Sequence, residues 1–130
     1  VQAAEARGLA LPAATDFDSP TGKGAMATVD GRRVILGNAS FLREQGVDVG
    51  PLAEAAEAMR RDGATAIFMG LDGRIAAAFA IADPIKASTP EAIAALKREG
   101  IRLVMLTGDN RTTAEAVASR LGIEEVEAEV

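Results

Sequence analysis

Two Asp-Gly pairs, Asp30-Gly31 and Asp72-Gly73, each stand between two runs of strand-forming residues. Both residues of a two-residue hairpin turn adopt positive φ, which aspartate and glycine tolerate better than most residues, so each pair predicts an antiparallel hairpin. The first pair predicts strands near residues 25–29 and 32–36. The first part of the chain is therefore predicted to form an antiparallel sheet.

A helix is predicted between the two hairpins. Pro51 stands just inside its start and Gly63 just past its end, which is how these two residues usually flank a helix. The residues with the spacing of one buried helical face are Leu52, Ala55, Ala56 and Met59. Helices are therefore predicted to pack on the antiparallel sheet.

The pattern changes after residue 82. Ser88 and Glu91 form a capping-box sequence, which predicts the start of a helix with Ile93 and Leu96 on its buried face. The largely apolar residues 101–106 predict a strand directly after this helix.

A second helix and strand complete the chain. Thr112 and Glu115 form another capping box, Gly122 ends the predicted helix, and residues 126–130 predict a short strand. Alternating helices and strands are typical of a parallel sheet. The chain is therefore predicted to be an α/β protein, with an α+β first lobe at residues 1–82 and a second lobe, with a partial parallel sheet, at 83–130.

Composition excludes several classes of function. The chain has no cysteine and no histidine, so disulfides, thiolate metal sites and imidazole catalysis are excluded. With a net charge of −5 and no basic cluster, the chain is predicted not to bind nucleic acid. The longest apolar run, Ile75–Ala82, falls far short of the ~20 residues that cross a bilayer, so it is predicted to be a core strand of a soluble chain.

A glycine-containing stretch precedes the first hairpin. Residues 22–27 fit the letters G-x-G-x-x-A, but the dinucleotide motif follows a strand and opens a helix, whereas here a proline-containing loop precedes and a hairpin follows. The phosphate-loop motif also fails, because Phe17 stands where its first glycine should be. Gly22 and Gly24 remain as either a glycine-relieved turn or a flexible loop at a sheet edge.

The polar residues after the strand at 101–106 have two interpretations. Thr107, Gly108, Asp109 and Asn110 place a hydroxyl, unobstructed N–H groups and a carboxylate where a parallel strand meets a helix, the usual ligand crevice of an α/β sheet. An anion would find hydrogen-bond donors there. The alternative is an ordinary turn with Asn110 or Thr112 as the helix N-cap.

Two further short motifs are ambiguous by themselves. Gly37-Asn38 could be a strand end whose asparagine caps the following helix. Asp83 and Lys86 could form a surface ion pair beside a turn.

The order of these motifs resembles the cytoplasmic ATP-binding and phosphorylation region of the heavy-metal-transporting P-type ATPases. A glycine-loop hairpin ends in Gly37-Asn38, a second hairpin runs into Asp83-x-x-Lys86, and a helix and a strand lead to Thr-Gly-Asp-Asn. Residues 8–38 are similar to the nucleotide-binding domain of that family. Residues 82–110 resemble the start of the second half of its phosphorylation domain, which has the haloacid-dehalogenase fold.

This resemblance implies ATP and Mg²⁺ as cofactors and gives roles to the motif residues. The residues that would lie against ATP are Gly22, Gly24, Gly37 and Asn38. Thr107 and Gly108 would donate hydrogen bonds to the transferring phosphoryl group, and Asp109 would support the network around Mg²⁺ and the nucleotide ribose. Asp83 and Lys86 would lie at the hinge between the two domains.

Other parts of the family's machinery are absent from the 130 residues. These are the Asp-Lys-Thr-Gly-Thr segment with the phosphorylated aspartate, the His-Pro motif, the Gly-Asp-Gly-x-Asn-Asp magnesium site and the membrane segments. The chain is therefore predicted to be a soluble fragment from the cytoplasmic part of a membrane pump, inactive alone and partnered by the rest of that pump. Copper(I) is the expected cargo, with zinc or cadmium as alternatives.

Two other functions stay open from the sequence, together with one consequence for assembly. The chain could be a free-standing, non-catalytic nucleotide-binding module. A stand-alone haloacid-dehalogenase-type phosphatase would need an Asp-x-Asp pair at a strand end, and the chain is expected to contain no such strand end. In the resembled family the nucleophile's strand pairs with the one at 101–106, so an open sheet edge is expected to cause self-association or partial disorder of the second lobe.

Overall fold

The computed structural model describes residues 1–130. The helices are α1 Gln2–Glu5, α2 Ala39–Glu44, α3 Ala53–Arg61, α4 Thr89–Arg98 and α5 Arg111–Leu121, with a 3₁₀ turn at Gly50–Leu52. The strands are β1 Ala14–Asp18, β2 Gly24–Val29, β3 Arg32–Gly37, β4 Thr65–Leu71, β5 Arg74–Ile81, β6 Val104–Leu106 and β7 Glu125–Glu127. The predicted α/β class is confirmed. None of the helices has the length and apolarity that crossing a bilayer requires.

The chain divides into two compact units. The first contains residues 1–52 and 68–77, and the second contains residues 53–67 and 78–130. The second unit includes α3 because this helix packs against α5. The predicted lobe boundary between residues 82 and 83 is a different division, and it stays a prediction.

The larger sheet has the order β1-β2-β3-β4-β5 and is antiparallel. The β2 and β3 strands pair from Gly24 opposite Gly37 to Val29 opposite Arg32. In both predicted turns the aspartate and the glycine have positive φ, 49° and 72° in the first and 49° and 80° in the second. Both predicted hairpins are therefore confirmed, because the turn chemistry is local.

The first strand of this sheet was not predicted. β1 pairs antiparallel with β2 through Ala14 opposite Val29 and Thr15 opposite Thr28, and the register shifts before Asp18. All five residues of β1 are exposed, so the strand lacks the alternation of buried and exposed residues by which strands are predicted.

The core of the first unit consists of large side chains from β3, α2, the following loop and β4. Its most buried members are Ile35, Phe41, Leu42, Val47 and Phe68. Asn38 is the N-cap of α2, and its Oδ1 accepts a hydrogen bond of 2.8 Å from the N–H of Phe41. The predicted cap is confirmed.

The core of the second unit is made of small side chains. Its buried residues are Ala56, Ala64, Ala66, Thr113, Ala114, Ala118 and Ala128. β6 and β7 pair in parallel, with Val104 opposite Glu125 and Leu106 opposite Glu127. The predicted parallel pairing is confirmed, although β6 is shorter than the apolar run 101–106.

Both predicted capping boxes are wrong. The N-cap residue Ser88 is in the right-handed helical region and makes no side-chain cap hydrogen bond, so α4 begins without a box. The N-cap of α5 is Asn110, whose side chain accepts from the N–H of Thr112 at 2.9 Å. Gly122 ends α5 with φ of 69°, as predicted.

Three burial predictions are also wrong. Ile75–Ala82 is not a core strand, because Phe79 and Ile81 on β5 are 43% and 52% exposed. No residue of α4 is buried, and Leu96 is exposed. On α3, Ala56 is buried but Ala55 is exposed. Apolar composition indicates which faces could be buried, but the partner element decides whether they are.

Candidate functional site

The turn that follows β6 joins the carboxyl end of this strand to α5. The N–H of Thr107 donates to the carbonyl of Glu127 at 2.9 Å, and the N–H of Val130 donates to the carbonyl of Thr107 at 3.4 Å. The N–H of Glu129 donates to the carbonyl of Asp109 at 3.1 Å. The backbone of the turn is therefore held by the end of β7 and by the residues that follow it.

The carboxylate of Asp109 is fixed through both oxygens. Its Oδ1 accepts from the N–H of Asn110 at 2.8 Å, and its Oδ2 accepts from the hydroxyl of Thr65 at 2.6 Å. The N–H of Asp109 itself donates to Oγ1 of Thr107 at 3.1 Å. The side chain thus has one defined direction, although each carboxylate oxygen keeps a further lone pair for another partner.

Two hydrogen-bond donors of the turn make no hydrogen bond within the second unit. They are the N–H of Gly108 and the hydroxyl hydrogen of Thr107, whose oxygen is engaged only as an acceptor. Asn110 caps the first turn of the eleven-residue helix α5, whose dipole favours negative charge at this end. This arrangement suits an anion such as a phosphoryl group, and it also contains the N-cap that the alternative interpretation predicted.

Two further side-chain bonds connect the start of α5 with the segment before β4. The hydroxyl of Thr112 donates to Oε1 of Glu57 at 3.0 Å, and the buried hydroxyl of Thr113 donates to the carbonyl of Ala64 at 3.0 Å. The hydroxyl of Thr112 is the main cause of a lowered pKa at Glu57, with Arg60 adding to it. Sequence analysis did not find Glu57 and Thr65, because they lie 55 and 44 residues from their partners.

The turn offers few ligands for a metal ion. No group of three or more acidic side chains in the chain could hold one, and no cysteine or histidine is present. Mg²⁺ is commonly bound through one or two carboxylates together with substrate phosphates and water. The fixed carboxylate of Asp109 fits this mode as a single protein ligand.

The four predicted nucleotide residues lie at one end of the β2–β3 pair. Gly24 pairs with Gly37, and the N–H of Asn38 donates to the carbonyl of Lys23 at 3.4 Å. Gly22 has φ of 73° and open space where a Cβ would be. The structure therefore brings these residues together in the first unit.

The fold itself requires glycine at two of these positions. A Cβ on Gly24 would lie 2.1 Å from the carbonyl oxygen of Leu36. A Cβ on Gly37 would lie 2.6 Å from the carbonyl oxygen of Lys23 and 2.7 Å from the ring of Phe41. Close backbone packing over Phe41 explains these glycines without a ligand, whereas Gly22 needs glycine only for its backbone angle.

An apolar groove of about 210 Å³ lies on the first three strands. Phe17, Met26 and Val34 are among the side chains that line it, and none of the predicted nucleotide residues is. The groove is not explained by the predicted motifs.

The remaining two motifs, Asp83-x-x-Lys86 and Asp16-x-Asp18, present charged side chains that are exposed. Asp83 and Lys86 form no ion pair, so that interpretation is wrong. The sequence Asp16-x-Asp18 does end a strand, contrary to the expectation that no Asp-x-Asp strand end exists. Its strand is antiparallel and no helix follows it, so it lacks the phosphate-binding surroundings of a parallel strand end.

The fold and the turn define a mixed α/β protein in which hydrogen-bond donors and a fixed carboxylate follow a parallel strand. The chain belongs to the haloacid dehalogenase-like hydrolases, because the model of this hydrolase family matches residues 1–130.

Two curated relatives match almost the whole chain. It is 48% identical to a silver-exporting P-type ATPase of Salmonella typhimurium, over 98% of this chain and 16% of that protein. It is 49% identical to a copper-exporting P-type ATPase of Legionella pneumophila, over 100% of this chain and 18% of that protein. These relatives confirm the resemblance to heavy-metal-transporting P-type ATPases, and the chain spans less than a fifth of their length.

A solved structure supports the same relationship. The crystal structure of a zinc-transporting PIB-type ATPase in its E2.Pi state matches with a TM-score of 0.65 and 28% identity. The match covers 99% of this chain and 20% of the other.

Proposed function

We propose that the chain contributes ATP binding and part of the phosphoryl-transfer site to an ATP-driven heavy-metal cation pump. The observation that carries this proposal is the turn after β6, where two unengaged donors lie beside the fixed carboxylate of Asp109. Donors held in place before the reaction stabilise charge that develops on a phosphoryl group.

In this proposal Thr107 and Gly108 hydrogen-bond the phosphoryl oxygens. Asp109 orients the site and would hold Mg²⁺ together with the phosphates, and Mg²⁺ supplies charge neutralisation during transfer. The helix dipole of α5 adds a favourable field for the negative charge.

ATP would lie against the end of the β2–β3 pair. Gly22 leaves the backbone of this loop unobstructed, and the close packing of Gly24 against Gly37 holds the loop beside Asn38. The side-chain oxygen of Asn38 caps α2, which leaves its amide group as the donor for a nucleotide.

The rest of the pump, including a membrane domain, is the proposed partner. Copper(I) is the proposed cargo, because the two curated relatives export silver and copper. In such a pump residues 1–82 would belong to the ATP-binding domain and residues 83–130 to the phosphorylation domain, both on the cytoplasmic side of the membrane.

The test is a titration of ¹⁵N-labelled chain with Mg·ATP. We expect an affinity of about 1 mM, which corresponds to about 4 kcal/mol. Amide shifts should cluster at Gly22, Gly24 and Asn38 and, separately, at Thr107–Asn110. Shifts absent from the glycine loop would remove the ATP assignment, and shifts absent from Thr107–Asn110 would remove the phosphoryl assignment.

Asn38→Asp supplies a matched variant for this titration. Aspartate caps a helix as well as asparagine does, so the fold is retained while a negative charge is placed beside the proposed ATP site. The variant should bind ATP several-fold more weakly. Unchanged affinity would move the nucleotide away from Asn38.

A phosphate-release assay tests the catalytic part. The 130 residues lack the Asp-Lys-Thr-Gly-Thr segment, so this chain alone should show no steady ATP hydrolysis above background. Hydrolysis that survives purification and is lost in Asp109→Asn would show that this chain hydrolyses ATP without further segments.

A further inference from the structure

Thr65 is the first residue of β4, and its side chain contacts Asp109 from outside the turn after β6. Its hydroxyl donates to Oδ2 of Asp109 at 2.6 Å, at a partly buried position. A charge-assisted hydrogen bond of this length is among the stronger side-chain interactions in proteins. Because Oδ1 is held by the N–H of Asn110, the bond from Thr65 selects the direction of the second oxygen.

The position of Thr65 is itself built from several bonds in the same unit. The preceding carbonyl, of Ala64, accepts the buried hydroxyl of Thr113 at 3.0 Å. The carbonyl of Asp62 accepts from the guanidinium of Arg120 at 2.8 Å, and Gly63 makes the turn between them with φ of 73°. The backbone before β4 is therefore held against α5 independently of Asp109.

A threonine is well suited to this task. Its branched Cβ restricts χ1, so the hydroxyl points in one direction with little loss of side-chain entropy on folding. The carboxylate that it contacts is the group that must be aligned with the two donors of Thr107 and Gly108.

We propose that Thr65 is a positioning residue that orients the carboxylate of Asp109 for the phosphoryl and Mg²⁺ site. This inference rests on the proposed function, because it assumes that Asp109 acts on a bound phosphate. Thr65 itself touches neither phosphate nor metal, and its effect is transmitted through Asp109.

Two substitutions separate the hydroxyl from the shape of the side chain. Thr65→Val keeps the branched shape and removes the donor, whereas Thr65→Ser keeps the donor and removes a methyl group. Thr28→Val on β2 is the matched control, because it makes the same change on a strand of the first unit.

The measurement is the affinity of the whole 130-residue chain for inorganic phosphate with Mg²⁺, followed at the amides of Gly108 and Asn110. Thr65→Val should weaken phosphate binding about five- to tenfold, less than the loss of a direct hydrogen bond to a charged group, because Thr65 acts on the phosphate only through Asp109. Thr65→Ser and Thr28→Val should stay within about twofold of the unmutated chain.

A double variant tests whether the effect passes through the carboxylate. In an Asp109→Ala background, Thr65→Val should change phosphate affinity by less than about twofold, because no carboxylate remains to be oriented. An effect that persists in this background would show a general structural role and overturn the proposal.

The unmutated chain provides a measurement that does not depend on the variants folding. The hydroxyl proton of Thr65 should exchange slowly and show a coupling to the carboxyl carbon of Asp109, and a freely exchanging hydroxyl would overturn the proposal. Unchanged phosphate binding in folded Thr65→Val would overturn this inference alone. Absence of phosphate binding in the unmutated chain would overturn the phosphoryl assignment and this inference with it, while ATP shifts at the glycine loop would still be measured separately.

Discussion

Gly24 on β2 and Gly37 on β3 face each other as a directly paired couple, and the ring of Phe41 lies against both. A Cβ on either glycine would lie within 2.8 Å of that ring. The two glycines thus let the strands lie close over a buried aromatic side chain. This packing places the preceding loop next to Asn38, whose N–H donates to the carbonyl of Lys23.

Gly24→Ala should therefore destabilise the fold. The new methyl group would overlap the carbonyl oxygen of Leu36, which is backbone and cannot rotate away, so we expect the free energy of unfolding to fall by about 2 kcal/mol or more. Urea denaturation measures this loss. Gly108→Ala is the control, because its nearest neighbour is an ordinary 3.4 Å contact, and it should cost less than about 0.5 kcal/mol. Equal losses in both variants would contradict the packing argument.

Asn38→Ala tests the helix cap separately from the nucleotide. Loss of the side-chain oxygen leaves the N–H of Phe41 without its partner, and we expect a loss of about 1 kcal/mol in the free energy of unfolding. Asn38→Asp should stay within about 0.5 kcal/mol of the unmutated chain, because aspartate caps equally well. If alanine and aspartate were equally stable, the cap would contribute nothing.

Most of the predictions that the structure confirmed depend on the chemistry of a few neighbouring residues. The Asp-Gly turns, the cap at Asn38 and the end of α5 at Gly122 each depend on a few adjacent residues. The bond from Thr65 to Asp109 joins residues 44 positions apart, and no local pattern indicates it. The capping boxes failed because a second polar residue, Asn110, competed for the same helix start, and because Ser88 itself adopts helical backbone angles.

Burial was the least predictable property for a related reason. Ile75–Ala82 reads as a core strand by composition, yet much of β5 is exposed. Conversely, β1 is wholly exposed and was recognised only through its pairing with β2. Both cases depend on which element lies alongside, which is a long-range property.

Asp72 should make stability depend on pH in acid. Its pKa is lowered first by the side-chain hydrogen bond from Arg32 and then by the N–H of Arg33. A carboxyl group with a lowered folded pKa stabilises the fold above its ordinary pKa, near 4, and this contribution is lost as the pH falls through the folded value. The stability difference between the unmutated chain and Asp72→Asn should therefore be largest near neutral pH and shrink below about pH 4.

Urea midpoints measured between about pH 3 and pH 7 check this behaviour. Asparagine tolerates the positive φ of this turn position, so Asp72→Asn removes the charge without breaking the hairpin. Arg32→Gln removes the larger cause of the lowered pKa and should reduce the same pH dependence. A difference that is constant over the whole range would show that Asp72 titrates alike in the folded and unfolded chain.

The open side of β6 should make the chain self-associate. β6 pairs with β7 in a two-stranded sheet, so its other edge is unpaired, and Val104 and Leu106 are 47% and 71% exposed. An unpaired edge with exposed apolar side chains is a template for pairing with another chain. Light scattering should therefore show a mass that rises with concentration, and Leu106→Lys should lower it by placing a charge on the edge. Leu9→Lys is the control, because Leu9 is similarly exposed at 58% but lies in the first unit.

If the chain is instead monomeric, residues 104–106 should exchange their amide hydrogens rapidly, because β6 then has support on one side only. A monomer in which these amides are well protected would contradict both expectations.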